Sequence, residues 1–532
     1  MKHLFRTFLI LALGCGLLLL AGCDSKETAE TPKAAPAVDQ GEEWAKEYTA
    51  KLQDFYANTN GTMTVGSISV DGKTSSYVLQ DVAGSLRLMS DGEDFPGVKI
   101  DYTIASVEVD GVNGKPFAED KLFANKTTWK DFSYSYDLSA VAGVGMGKVS
   151  ATAKEYVFNG MQGDMDALMD ILKKGETSMA DLAVLSTLAA QEMTFNGVAS
   201  TATMPTYGDQ TMKFSATIDS GFAKDVAFIR CGASEVLDYK IFLDDKLIST
   251  TAKYSLKSFV LGDKPEQIVA LLLGPEQAME MIPNVSIDNL RGTDITVHLQ
   301  DQGFGDLTIA DSGISMSFAQ GKGRMALDAT SIVIPKEMED MASLFILGSG
   351  SSLSELHEGS LDLSFAIDVG MEEKDGKTHI DASNIFIGDK NLGSLTFNMN
   401  IIADTLAATP PEPFGDMENL ALVRAFLKIV DTGMIEFGSR LASTQAMPDM
   451  NPADGASAMR GMGIALLDAQ CKQFTGTKAE LCANALALLK EPGTLEITVA
   501  PPTPISLDAD PTELLFEQGE EILGVSSSFK KN

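Results

Sequence analysis

The sequence predicts a β-rich α+β protein, with long antiparallel, strongly twisted sheets, short helical insertions and a helical segment near the C-terminus. Three observations carry this. Apolar residues recur at every second position over long stretches, as in Ile100, Tyr102 and Ile104, and steps such as Asp71-Gly72 and Asp375-Gly376 separate the stretches. Alternation broken by such turns is the strongest short-range signal of antiparallel hairpins. Several strands end in an apolar pair followed by an acidic or Pro-containing step, which is the chemistry of a helix start. Between Pro410 and Glu491 the apolar spacing becomes that of a helix.

In chain order, the first segment is not folded structure. Lys2, His3 and Arg6 form a basic start, Phe8 to Leu20 is an uncharged apolar run, and Leu20, Ala21, Gly22 and Cys23 are a small-residue exit. These are the parts of an export signal. The uncharged stretch from Thr7 to Cys23 falls short of the roughly 20 apolar residues that a spanning helix needs. Leu20-Ala21-Gly22-Cys23 resembles the lipobox of bacterial lipoproteins, which implies cleavage before Cys23 and lipid, palmitate among it, on that cysteine. Several acyl chains hold a protein stably where one is marginal. The expected location is therefore a cell membrane, lipid-anchored and facing the periplasm. Asp24 resembles the signal that keeps enteric lipoproteins in the inner membrane. Residues 24–40, with Thr31-Pro32 and Ala35-Pro36, are too polar and small to bury a core and read as a flexible tether.

A β-rich body with helical insertions is expected over 41–409. It opens with a helix from Glu42 to about Tyr56, which sets Trp44, Tyr48, Leu52 and Phe55 or Tyr56 on one stripe. The period then becomes two: Met63 to Val70, Tyr77 to Leu88, Val98 to Val109, Trp129 to Tyr136, Val149 to Phe158, Met193 to Met204, Thr211 to Ile218, Val226 to Val260, Ile287 to Leu299, Leu307 to Ile334 and Leu361 to Ile402. Tight turns are expected at Asp244-Asp245, Gly321-Lys322-Gly323 and Asp375-Gly376. Short helices are expected at Asp164 to Leu172, Pro265 to Leu273, Pro335 to Leu344 and Thr512 to Phe516. Over 410–491 a helical insertion is expected, with Leu422, Val423, Phe426, Leu427, Val430, Met434 and Phe437 on one stripe, followed by helices at Ala458 to Phe474 and Ala479 to Leu489. Leu495 to Val499 returns to strand, a short helix closes 492–525, and 526–532 reads as a disordered tail.

Composition excludes one class of function. The chain carries 74 acidic against 41 basic residues, a net charge of −33, whereas nucleic-acid binding needs a basic footprint. The same charge keeps the body off anionic lipid. Cys471 and Cys482, close in sequence within a helical region, are a candidate disulfide in an oxidising compartment. Cys231 is then left over and reads as a buried core thiol.

Other candidates read more plainly as structure. His298, His357 and His379 show no His-x-x-x-His spacing for zinc. No Gly-x-Ser-x-Gly elbow accompanies them, so a hydrolase is the weakest of three functional readings. Asp91-Gly92-Glu93-Asp94 and Asp508 to Glu513 do not match an EF-hand and read as a turn and a helix start. Met447, Met450, Met459 and Met462 are soft ligands suited to Cu(I), but methionine fills cores throughout this chain and Asn451-Pro452 interrupts the cluster. No metal site and no cofactor is expected.

The texture of residues 60 to 400, long amphipathic strands with interrupting helices behind an N-terminal membrane attachment, resembles that of the AsmA-like and YdgA-like envelope proteins. The helical segment after 410 departs from it. Such strands can curl into a trough whose apolar face holds lipid tails or a partner strand. The expected function is a non-enzymatic cell-envelope lipoprotein that binds lipid or another apolar ligand. The alternative is a structural or assembly factor for another envelope protein.

Overall fold

The computed structural model describes residues 39–59, 62–88, 98–112, 122–137, 139, 147–163, 176–177, 189–205, 211–227, 230–261, 285–319, 322–347, 353–357, 359–405, 417–447, 449–507 and 523–532. The expected export signal, the start of the expected tether, both acidic clusters and the helices expected at 164–172, 265–273 and 512–516 lie outside them. The chain is a β-rich α+β protein that divides into two compact units, Met1–Leu290 and Arg291–Asn532. The body expected over 41–409 therefore spans both units.

The first unit starts with helix α1 (Gly41–Ala57), which buries Tyr48, Leu52 and Phe55, three residues of the stripe read from the sequence. Strands follow as an antiparallel meander: β1 (Met63–Thr64), β2 (Ser67–Asp71), β3 (Ser76–Leu88), β4 (Val98–Val112), β5 (Leu122–Asp137), β6 (Lys148–Gln162), β7 (Glu176–Thr177), β8 (Ala189–Pro205), β9 (Thr211–Ala227), β10 (Arg230–Cys231), β11 (Ser234–Leu243), β12 (Lys246–Leu256), β13 (Ser258–Leu261) and the start of β14 (Val285–Val297). The short strands depart from this order: β1 pairs with β3 beside β2, β10 pairs with β13, and β7 lies parallel to β3. One continuous row of directly opposed residues crosses this unit: Ile68, Leu79, Val107, Trp129, Tyr156, Phe195, Gly221, Val236 and Tyr254. Opposed residues share a face, so the row is the spine of an apolar surface on which Tyr156 and Phe195 are buried. Gly221 is required where it stands, because a Cβ there would lie 2.4 Å from Cζ of Phe195. α1 covers the β2–β4 end of this face, with the Tyr48 and Tyr77 rings 5.3 Å apart.

The strands are kinked at matching levels. Asp81, Asp131, Gly197 and Asp238, on β3, β5, β8 and β11, form one line across the register, and Gly111, Gly160 and Asp225, on β4, β6 and β9, form another. All seven have φ between 48 and 64°, a left-handed conformation that Gly adopts freely and Asp tolerates. Each stands between apolar residues in a four-residue pattern: Leu79-Gln80-Asp81-Val82, Trp129-Lys130-Asp131-Phe132, Phe195-Asn196-Gly197-Val198, Val236-Leu237-Asp238-Tyr239 and their counterparts on the second line. A left-handed residue resets the two-residue alternation, so the apolar residues before and after it stay on one face while the strand bends.

The second unit contains the rest of β14, a 3-10 turn at Gln300–Gln302, and strands β15 (Leu307–Ala319), β16 (Lys322–Val333), β17 (Asp362–Lys374), β18 (Lys377–Asp389), β19 (Gly393–Thr405), β20 (Met417–Asp431), β21 (Gly493–Val499), β22 (Ile505–Ser506) and β23 (Val525–Lys531). β15 to β21 pair in succession and antiparallel, and β23 pairs with β21. Its helices are α2 (Lys336–Leu347), α3 (Met434–Ala446), α4 (Pro452–Cys471) and α5 (Gly476–Lys490). Pro452 occupies the first turn of α4 and the Asn451 side chain accepts from the Ala453 N–H, a capped start.

Two expectations are corrected here. The helical insertion does not begin at Pro410: 417–431 is a strand, and helix starts only at Met434. Leu420 to Val430 is apolar on both sides of a strand as well as on a helical stripe, and such a run is ambiguous from periodicity alone. Ladders with β19 on one side and β21 on the other decide for strand. The tail expected over 526–532 is instead the edge strand β23, in register with β21 from Val499↔Val525 to Gly493↔Lys531. Phe529 packs where Gly493 leaves room, since a Cβ on Gly493 would lie 2.5 Å from that ring.

Candidate ligand-binding face

In the second unit the cross-strand register sorts the side chains sharply. One row runs Ile314, Leu327, Ile367, Ile385, Phe397, Leu427, Ile497 and Ser527. The row beside it on the same face runs Ala329, Phe365, Ile387, Leu395, Ile429, Leu495 and Phe529. On the other flank lie Met316, Met325, Val369, Ala382, Met399, Ala425, Val499 and Val525. None of the three rows contains a charged residue. Bulges between Asp368 and Val369 and between Ala382 and Ile385 keep the rows on one face across β17 to β19, as the left-handed kinks do in the first unit.

Coverage of this face is uneven. At the β21–β23 side, α5 lies over it: Asn484 Nδ2 donates to Ser527 Oγ at 2.9 Å, and Cys482, Leu486 and Leu495 are buried. Over β16 to β18 the face is open, with exposures of 44% at Met325, 36% at Leu327, 36% at Ile367 and 56% at Ile387. Within the first unit, by contrast, the apolar face holds Tyr156 at 2% and Phe195 at 4%. Scattered exposed apolar residues are ordinary, but four on adjoining strands of one uncharged face form a patch of the kind that marks interaction sites.

The opposite face is polar and self-paired. Arg291 bonds to Asp311 and Asp328, Arg324 Nε donates to Asp368 Oδ1 at 2.9 Å, Lys428 meets Glu496 at 3.1 Å, and Asn400 Nδ2 donates to Asp381 Oδ1 at 2.9 Å. The Arg324 guanidinium holds the Asp368 carboxyl below the usual carboxylate range. These pairs lock register, and the face that carries them is already satisfied.

The structure places the sequence candidates separately. His357 and Glu339 make a buried pair at 3.0 Å (Nε2 to Oε2), and Glu339 Oε1 also accepts the Leu361 N–H at 2.8 Å. With the His357 ring 5.8 Å from that of Phe437, this pair ties α2, the segment 353–361 and α3 together. His298 Nδ1 is 3.2 Å from Asp306 Oδ2 beside the 3-10 turn, and His379 is exposed on β18 opposite Glu372. Cys471 and Cys482 are bonded, with Cα atoms 5.5 Å apart, and join the end of α4 to α5. Cys231 is only half-buried and packs at the margin of the core around Tyr156. Burial pushes its thiol up to about 11, so it is neutral and weakly nucleophilic. Met447 ends α3, Met459 and Met462 lie on α4, and Met450 and Met462 are exposed. Among the described residues no group of three or more His, Cys, Asp or Glu side chains is placed to hold a metal ion. Nor is any described helix long and apolar enough to cross a membrane.

Sequence reasoning missed Met325, Leu327, Ile367 and Ile387 as functional residues. Alternation shows which side chains share a face, but whether anything covers that face depends on where α5 docks, and no local signal carries that. No family model matches the chain, and no curated protein matches it.

Proposed function

We propose that this protein is a non-enzymatic lipoprotein of the cell envelope that binds an apolar ligand on the open sheet face of its second unit. The observation that carries the reading is the uncharged patch of Met325, Leu327, Ile367 and Ile387, exposed on a face whose continuation under α5 is buried. Burying such side chains contributes about 25 cal/mol per Å², so an apolar ligand gains there what the fold leaves unused. Methionine suits such a surface, since its unbranched, polarisable side chain adapts to ligands of variable shape. The Leu20-Ala21-Gly22-Cys23 exit supports the envelope location.

Native mass spectrometry of the chain from Asp24 onward, exported behind a cleavable signal peptide without the lipidated cysteine and purified from a bacterial periplasm, tests this. A co-purifying apolar molecule, released on denaturation and lost in Ile387→Glu, is the expected result. A ligand-free mass for the folded chain, with no uptake of added apolar molecules, overturns it. Adducts unaffected by Ile387→Glu move the site elsewhere.

A further inference from the structure

We propose, building on that reading, that Met325 is an oxidation site that controls the open face. Conversion of its thioether to the sulfoxide by a peroxide or a hypohalous acid weakens binding of the apolar ligand, and reduction restores it.

Sulfur is concentrated on this face. In the flanking row three of the eight positions are methionine, namely Met316, Met325 and Met399, and Met316 stands directly opposite Met325 across the β15–β16 ladder. Met371, two residues beyond Val369 on β17, adds a fourth on the same side. Leu, Ile or Val would make the face equally apolar, but none of them has a lone pair to oxidise.

Exposure selects Met325 among the four. A thioether does not titrate, so access of the oxidant governs its rate. Met325 is 44% exposed, whereas Met316, Met371 and Met399 are half-buried. Met341, Met450 and Met462 reach 40%, 44% and 46%, but they stand on α2, just before α4 and on α4, outside the three apolar rows. They are therefore internal controls, equally open to oxidant and absent from the face. Cysteine offers no rival among the described residues. Cys471 and Cys482 are already joined, and burial keeps the Cys231 thiol neutral, so its reactive thiolate is scarce.

The reaction balances without a cofactor. A sulfur lone pair attacks the oxygen of hydrogen peroxide or hypochlorous acid. The S–O bond forms as the O–O or O–Cl bond breaks, and water, or chloride with a proton, leaves. Sulfur loses the two electrons that the oxidant gains. The product carries a strongly polar S=O acceptor where an apolar sulfur stood. Its neighbours on the face, Leu327 on the same strand and Met316 and Val369 on the adjoining ones, have no side-chain donor. A ligand that covers the sulfoxide strips its water and returns no hydrogen bond. In the unliganded fold the exposed sulfoxide keeps its water, so the oxidation acts on binding and leaves the sheet intact.

The test uses the chain from Asp24 onward and the fluorescent apolar probe N-phenyl-1-naphthylamine, titrated before and after hydrogen peroxide, with oxidised positions read by peptide mass spectrometry. One added oxygen is expected at Met325, Met341, Met450 and Met462 and none at the buried Met63 and Met193. Probe affinity should fall at least fivefold and recover on treatment with the two methionine sulfoxide reductases, one for each epimer. Met325→Leu, close in volume and not oxidisable, should bind the probe untreated and keep its affinity within about twofold after peroxide. Met341→Leu should give no protection. Complete oxidation of Met325 at unchanged affinity, an equal loss in Met325→Leu, or a Met325 that resists peroxide while the three controls react, overturns the switch and leaves the open-face reading standing. A folded, untreated chain that binds no probe, or binds it equally well as Ile387→Glu, overturns both.

Discussion

Asp131 shows how little side chain a strand kink needs. At φ 48° it sits where Asp is tolerated and Gly is at ease, between Trp129 and Phe132 on one apolar face. Asp131→Gly is expected to leave the urea midpoint nearly unchanged. Asp131→Val should cost about 2 kcal/mol through its β-branched Cβ in a left-handed conformation, read as a lower midpoint at unchanged slope. The buried pair of Glu339 and His357 follows a different rule. Glu339→Ala strands the Leu361 N–H and the His357 imidazole without a partner, and a loss of about 3 kcal/mol is expected. The joint change Glu339→Met with His357→Leu should recover most of it, because no polar group is then left unpaired. Neither feature was legible as such in the sequence. Asp and Gly read there as turn formers, and their role inside strands appears only once the register aligns them; Glu339 and His357 stand 18 residues apart and meet only in three dimensions.

Among elements, α1 and the C-terminal helices carry the clearest consequences. α1 brings Tyr48 and Tyr56 against the strands that hold Tyr77 and Tyr102; burial pushes Tyr56 up to about 12 and raises the other three as well. A phenol whose folded value is raised stabilises the fold fully below its unfolded value near 10, and that contribution is lost as pH rises through the folded value. An absorbance titration at 295 nm should therefore show at least four of the ten tyrosines ionising only together with unfolding. The Cys471–Cys482 bond closes a loop with a sequence separation of 11, worth about 2–3 kcal/mol in the chain-entropy model. Replacing both cysteines by Ala should lower the unfolding free energy by that amount and unsettle α5 first, detected as faster hydrogen exchange in 476–490. Elements were the most readable scale. The stripe of α1, the long alternating strands and the helices expected at 458–474 and 479–489, found at 452–471 and 476–490, are visible because each follows one period over most of its length. β20 was misread because its residues satisfy two periods at once, and β23 because Val525 and Phe529 are too few to signal a strand without β21 beside them.

For the whole molecule, acid has two opposed effects. Protonation first relieves repulsion in a chain with 74 acidic residues. Asp368, Glu372, Asp404 and Asp468 are held below the usual carboxylate range, chiefly by Arg324, Lys322, Asn419 and Lys472 respectively. Their contribution is present above the unfolded values near 4 and is lost as pH falls through the lower folded ones. Stability measured by urea unfolding should thus rise from pH 7 to about 5 and fall below about 4. Fold class was legible at this scale because it needs only the kind and order of elements. The open face was not, because exposure belongs to the assembled unit. The two lines of left-handed residues in the first unit fall on alternate strands, one line on β3, β5, β8 and β11 and the other on β4, β6 and β9. The modular quantum of that unit is accordingly a hairpin, one strand for each line. A gene that gained or lost a hairpin would keep both lines intact, so such a sheet can change length by duplication or deletion while its curvature is inherited unchanged.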